Sequence, residues 1–339
     1  MRELKILQVC PDDTYYLWQV HAWMENLQEL GLSDKAVSLI FTPKNRERNT
    51  KWDELAKLYP EAEFKFYFDE HGINPLINVY IPVLRPYCLM KYFRENPDMV
   101  SKAVFYCDCD VQFTDKFDLS QFLDDDINYL SDTNSYINAS YFDSKTKDVL
   151  PEKKEEYKTR DVLAEVTSLV GITREICEAN NDHSGGAQYL LKNIDGAFWE
   201  KVVGDCINIR RYLQNVNKEF FKDENTGFQS WCADMWAVLW NLWMRGQETK
   251  VVKELDFAWA PDPIEKLETC TIYHNAGVTA DYMEKCPYFY KGKYHQGTNP
   301  FKDEEHLKIV YYNVKSKEKC THFYLSKLLN LNKKYNFNY

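Results

Sequence analysis

The amino-acid sequence predicts an α/β chain with a mostly parallel central sheet flanked by helices. Three observations predict it. Strand-like and helix-like segments alternate from the first residues onward. The apolar run Val104-Phe105-Tyr106 leads into Asp108-Cys109-Asp110, which places two carboxylates at the edge where open α/β sheets bind ligands. No Pro/Gly/Ser-rich linker, repeat or low-complexity block divides the 339 residues, so one large domain or two fused subdomains is expected.

The elements follow in order. Residues 4–9 are apolar and read as a strand, residues 18–30 as a helix stopped by Gly31, and residues 35–41 as a second strand. Residues 52–58 read as a helix, 63–68 as a third strand, 81–93 as a helix and 103–106 as a fourth strand. Twenty-four Tyr, 19 Phe and 9 Trp supply a large aromatic core, and the net charge of −10 argues against a protein that coats nucleic acid. Residues 313–339 run the other way, with six Lys against one Glu and interleaved aromatics. They read as a solvated terminal helix with a frayed end, able to touch a phosphate-bearing acceptor. No apolar run approaches the ~18 residues of a membrane helix. The chain enters a strand at once without a signal peptide, so a cytoplasmic protein with reduced, scattered cysteines and no Cys-x-x-Cys zinc site is expected.

Phosphate chemistry must use an unusual device here. The residues after the first strand, Cys10-Pro-Asp12-Asp-Thr-Tyr15-Tyr, contain neither Gly-x-Gly-x-x-Gly nor a P-loop. A divalent metal on Asp108 and Asp110 is the available substitute, since side chains two apart in a turning segment can face one cation. The competing reading is an acidic turn that ends a strand. Cys109 lies between the two carboxylates.

Four later segments fit the metal reading. His183-Ser-Gly185-Gly186-Ala-Gln188 is a small-residue turn that lets backbone approach a ligand, or else an ordinary loop into a strand. Trp231-Cys-Ala-Asp234-Met-Trp236 sets one carboxylate in an apolar helix, which is costly unless it is paired or functional. His274-Asn-Ala-Gly277 delivers an imidazole into a Gly turn and completes an O/O/N ligand set. Lys291-Gly-Lys293 would offset charge on a departing diphosphate.

In this order the motifs resemble the nucleotide-sugar glycosyltransferases of the GT-A fold, a Rossmann-like α/β architecture. The strand ending in Asp108-Cys109-Asp110 is similar to their Asp-x-Asp motif, and Pro82-Val-Leu-Arg85-Pro-Tyr-Cys-Leu-Met-Lys91 to the Arg-bearing helix of glycogenin-like and galactosyltransferase-like enzymes. His274-Asn-Ala-Gly277 resembles the start of their His-x-x-Gly motif, which normally continues to Lys-Pro-Trp, whereas the lysines here come later. Trp18-Gln19 and Trp231 to Trp236 look most like the plant peptidyl-serine galactosyltransferases and hydroxyproline arabinosyltransferases.

The resemblance implies a manganese or magnesium ion on Asp108, Asp110 and His274. It also implies a donor, UDP-linked by expectation, contacted by Arg85, Asp12, Tyr15, Cys109, Gly185, Gly186, Gly277, Lys291 and Lys293. Asp234 and Gln188 become the catalytic candidates: Asp234 as base if the reaction inverts, or as an orienting group, with Gln188 on the β-face, if it retains configuration. Trp231 and Trp236 become acceptor contacts. The acceptor hydroxyl belongs to a protein, a glycan or a modified nucleobase in DNA, and a cytosolic bacterial or viral enzyme is the expected setting. The implied organisation is a catalytic domain over residues 1–300, with a nucleotide-binding half to about 115 and an acceptor half beyond, then an extension over 301–339.

Two other classes compete. A haloacid-dehalogenase-type phosphatase would use Asp108 as nucleophile, although Gln112 stands where its motif carries Thr or Val. A non-catalytic sugar- or nucleotide-binding module would have little need of so dispersed a ligand set.

Overall fold

The computed structural model describes residues 1–44, 46–69, 80–223, 226–278, 288–295 and 297–335. In chain order its main elements are β1 (Leu4–Pro11), α1 (Thr14–Glu29), β2 (Ala36–Thr42), α2 (Lys51–Leu58), β3 (Glu63–Phe68), α3 (Leu84–Glu95), β4 (Ala103–Tyr106) and β5 (Val111–Phe113). There follow β6 (Asn128–Asp132), β7 (Gly185–Lys192), α4 (Gly196–Phe220), α5 (Ala233–Met244), β8 (Thr249–Val251), β9 (Phe257–Trp259), β10 (Ile272–His274), α6 (Glu304–Tyr312) and α7 (Thr321–Lys334). The fold is mixed α/β, with a seven-stranded, mostly parallel sheet flanked by helices and a small three-stranded sheet. No described helix is long and apolar enough to cross a membrane.

The chain folds as two compact units whose segments interleave. One comprises Met1–Leu4, Glu70–Phe105 and Phe122–Val252; the other comprises Lys5–Asp69, Tyr106–Gln121 and Lys253–Tyr339. This division differs from the expected halves at residue 115 and the separate extension after 300. The C-terminal residues belong to the unit that also holds β1, and α7 is not solvated. Its Tyr324, Leu325, Leu328 and Leu331 are buried in one core cluster with Trp18, Tyr273, Phe289 and Tyr294. The apolar face that residues 324–331 repeat at helical spacing outweighs the lysines on the opposite side. The last four aromatic-rich residues lie outside the described part.

In this second unit β1, β2 and β3 are parallel, with Ile6 opposite Ala36 and Val37 opposite Glu63. All seven residues of β2 are buried, as an interior parallel strand requires. Helix α1 starts at Thr14, four residues before the apolar periodicity suggests, because the Asp13 side chain caps it by accepting from the Tyr15 amide at 2.8 Å. Gly31, at φ +68°, turns the chain out of the helix.

A buried histidine in α1 gives stability a pH dependence. His21 is 1 % exposed against Tyr59 and Tyr335; burial, and secondarily the Lys334 charge, lower its pKa to about 3. The folded state therefore keeps it neutral while the unfolded chain protonates near 6.5. Its contribution is complete above pH 6.5 and is lost as pH falls from there toward 3. Urea unfolding at pH 7 and pH 5 is expected to show a loss of about 2 kcal/mol that His21→Gln removes.

In the first unit the long helix α4 packs against α3 and α5, with Trp199 wholly buried and its ring 6.0 Å from Phe93. Gly196 opens α4 where a Cβ would stand 2.6 Å from the Arg94 side chain, so the close approach of α3 needs glycine there. Strand β7 is antiparallel to β6, which is parallel to β8.

Candidate functional site

The Asp-x-Asp segment is a turn held from both sides. The Cys107 amide donates to the Leu7 carbonyl at 3.1 Å, which aligns the end of β4 with β1, and the Val111 amide closes back on the Asp108 carbonyl at 3.4 Å. Strand β5 then pairs antiparallel with β10, His274 opposite Val111. Asn26 fixes β5 on its other edge as a strand would: its side chain accepts from the Phe113 amide at 2.7 Å and donates to the Phe113 carbonyl at 3.0 Å. Asn26 carried no functional signal in the sequence, since an Asn inside a helix reads as neutral.

These constraints bring the three expected ligands together. One ligand atom from each of Asp108, Asp110 and His274 lies within 4.8 Å of the others. His274 Nε2 stands 3.4 Å from Asp110 Oδ1 and 3.7 Å from Asp108 Oδ2. The imidazole stacks on Trp259 at 5.5 Å and 15°, and the Asn275 amide donates to the Asp110 carbonyl at 3.0 Å. Asp110 is 4 % exposed. Burial opposes its charge, but the Lys291 ammonium, bonded to Oδ2, and His274 together bring its pKa well below the usual carboxylate range. Burial likewise disfavours the Lys291 charge, and Asp110 reverses the balance and raises its pKa. Two carboxylates and one imidazole, packed together before any ligand arrives, fit a divalent cation with mixed oxygen and nitrogen preference.

Other expected donor contacts are placed differently. Asp12 is a framework residue: its carboxylate accepts from Thr42 Oγ1 at 2.8 Å, the Asn49 amide at 3.1 Å and Trp52 Nε1 at 2.7 Å, which ties β1 to β2 and α2. Tyr15 is 5 % exposed and stacks on His295 at 3.8 Å and 14°. Cys109 is buried, and burial pushes its thiol pKa far up, so it stays neutral. Lys293 pairs with Asp303 at 2.6 Å, leaving Lys291 as the lysine of that turn on the carboxylates. Gly277, at φ +82°, supplies a backbone turn that other residues adopt at a cost.

The second group of expected residues forms a network in the first unit. Arg85 Nη2 donates to Asp234 Oδ2 at 2.5 Å, and the Tyr80 hydroxyl bonds Asp234 Oδ1 at 2.9 Å. The Asp234 amide donates back to the Tyr80 hydroxyl at 2.9 Å. Tyr80 was invisible in the sequence because it meets Asp234 across 154 positions. Trp231 is 55 % exposed, edge-on to Tyr80 at 5.7 Å, with the Arg210 guanidinium 5.6 Å from its ring. Trp236, expected beside it as an acceptor contact, is a core residue: it is wholly buried, stacks near Trp240, and donates Nε1 to the Ile137 carbonyl at 2.9 Å. Helical spacing separates the two, since Trp231 precedes α5 while Trp236 lies on its inner face.

The Gly185-Gly186 turn is tightly constrained. Strand β7 bulges between its pairings to Leu130 and Asp132, and the Ser131 hydroxyl spans the bulge, donating to the Gly186 carbonyl and accepting from the Gln188 amide at 3.2 Å. A Cβ at Gly185 would stand 2.5 Å from the Ser131 carbonyl oxygen, and one at Gly186 2.8 Å from Met235 Cε and the Tyr189 hydroxyl. Ala187 takes φ +69°, where an L-residue is strained by about 1–2 kcal/mol. Gly185→Ala is expected to lower stability by about 2 kcal/mol, whereas Ala187→Gly is expected to leave it unchanged or raise it; chemical unfolding reads both. Gln188, expected to face a sugar, is wholly buried.

No family model matches this chain, and no curated protein matches it. Among solved structures it is similar to the bifunctional glycosyltransferase WbbM in its apo form, at 10 % identity and TM-score 0.45 over 96 % of this chain and 52 % of that one. This chain thus spans about half the length of that protein. It is also similar to the galactosyltransferase LgtC in complex with donor and acceptor sugar analogs, at 12 % identity and TM-score 0.40 over 90 % and 95 %. Mouse xyloside xylosyltransferase 1 in its apo form aligns at 11 % identity and TM-score 0.35 over 81 % and 98 %. All three are glycosyltransferases by description, and the chemistry of the present chain rests on its own side chains.

Proposed function

We propose that this chain is a metal-dependent glycosyltransferase that moves a sugar from a UDP-linked donor to a hydroxyl acceptor with retention of configuration. The observation that carries this reading is the cluster of half-buried Asp108 with buried Asp110 and His274, with Lys291 on its edge. Manganese suits the imidazole nitrogen better than magnesium does. When bound, such an ion neutralises charge that builds on a departing diphosphate. Asp108, Asp110 and His274 would hold it, and Trp259 and the Asn275 amide keep two of those ligands in place.

Retention is favoured by the state of Asp234. Each of its oxygens accepts a hydrogen bond, one from Arg85 and one from Tyr80, which suits an orienting role better than that of a general base. Asp234 instead orients Arg85, the residue expected to approach the donor. Exposed Trp231 is the candidate surface for the acceptor, its ring backed by Tyr80 and Arg210.

A thermal-shift panel of UDP-sugars, with manganese and with EDTA, tests the reading. Ligand at about 100 times its Kd adds roughly 2.7 kcal/mol of stability. Manganese-dependent stabilisation by a UDP-sugar is expected. Stabilisation by vanadate and by no nucleotide would point instead to phosphatase chemistry on Asp108.

A further inference from the structure

The geometry points to Lys291 as a resident occupant of the metal site: its ammonium holds Asp110 in the free protein and leaves only when a cation and a diphosphate are present together. This inference rests on the metal reading above and concerns how the site is loaded. Lys291 is bonded to one oxygen of Asp110, whose other oxygen faces His274 Nε2 at 3.4 Å. A divalent ion on Asp108, Asp110 and His274 would thus share a buried carboxylate with a second cation, and their repulsion disfavours that state. A diphosphate changes the balance, because it supplies the anionic oxygens to which an ammonium can turn.

The turn carrying Lys291 is built for a side-chain swing and not a backbone opening. Lys291–Tyr294 forms a short 3-10 turn, and Tyr294 anchors it in the core, 2 % exposed, stacked on Phe289 at 5.9 Å and near Trp18 at 6.2 Å. The Tyr290 ring covers Gly292, where an added Cβ would stand 2.3 Å from it. Lys293 is held by Asp303. With the chain held before Lys291 by the Phe289 amide on Thr321 Oγ1 at 3.3 Å and after it by Tyr294, the four-carbon stem of Lys291 is the part free to redirect the charge.

The consequence is a reciprocal coupling: cation and diphosphate each strengthen the other's binding, with Lys291 as the shared element. Electron paramagnetic resonance of free Mn2+ measures it directly, titrating the ion alone and then with UDP, in wild type, Lys291→Met and Lys291→Gln. Wild type is expected to bind Mn2+ weakly alone and about tenfold or more tightly with UDP. Lys291→Met is expected to bind Mn2+ alone at least tenfold more tightly than wild type, with the UDP-induced gain mostly lost. Lys291→Gln, which can keep a hydrogen bond to Asp110 without the charge, is expected to behave like Met, which separates charge from packing. Equal affinity for Mn2+ alone in all three proteins, lost in Asp110→Asn, would overturn the role of Lys291 and leave the metal site standing. Failure of every protein to bind Mn2+, with or without UDP, would overturn both.

Discussion

Asp110→Ala is expected to lower sugar transfer by about a thousandfold or more while the protein stays folded. The carboxylate is one of the three proposed ligands, the partner of Lys291 and the neighbour of His274, so its removal empties the centre of the cluster. Initial rates at saturating and limiting donor separate the effect: the loss is expected in both kcat and kcat/KM. The fold is expected to tolerate the change, because the Asp110 backbone carbonyl keeps its bond from the Asn275 amide whatever the side chain. A wild-type rate in both Asp108→Ala and Asp110→Ala would remove the metal from the mechanism.

Asp234→Ala is expected to cost both stability and activity. It leaves the Arg85 guanidinium and the Tyr80 hydroxyl without their shared acceptor in a site where Asp234 is 8 % exposed. Breaking a fully buried ion pair costs about 3–5 kcal/mol; Arg85 retains some solvent contact, so about 2 kcal/mol is expected from urea unfolding. Asp234→Asn keeps an acceptor for Tyr80 and is expected to recover part of the stability. It is not expected to recover turnover, because the charge that positions Arg85 is gone. Arg85→Ala combined with Asp234→Ala is expected to cost less than the sum of the two, since each single change leaves the other's charge uncompensated. Additive losses would mean that the pair does not act as a unit.

Much of the fold was legible in local pattern. Strand β3 and strand β4 fall where the apolar runs place them, and Gly31 ends α1 as its position suggests. These are properties of short windows, and windows are what periodicity reads. The grouping of Asp108, Asp110 and His274 was legible for a different reason: the acidic pair follows one apolar strand and His274 ends another, and the pairing of β10 with β5 brings them together.

What the sequence concealed depends on long-range packing. Trp231 and Trp236 look equivalent in a tryptophan-rich stretch, but Trp231 lies in the turn before α5 and is exposed, whereas Trp236 lies on the inner face of the helix and is buried. Asp12 looked like a ligand contact because it follows β1, and Trp52 and Thr42 claim it from elements 30 to 40 residues away. The basic tail concealed an apolar face that joins α7 to the core, since composition averages over faces that a helix separates. Asn26, Ser131 and Tyr80 were missed because each supports a neighbour through one or two hydrogen bonds, a role with no compositional signature.

Asp108, Asp110 and His274 are proposed to hold a divalent cation for a nucleoside diphosphate. Calorimetric titration of UDP into the wild-type protein, once with Mn2+ and once with EDTA, tests it most directly. Binding with Mn2+ that weakens by at least a hundredfold in EDTA, and a similar loss in Asp110→Ala with Mn2+ present, is the expected result. UDP affinity that is the same with Mn2+, with EDTA and in Asp110→Ala would contradict it.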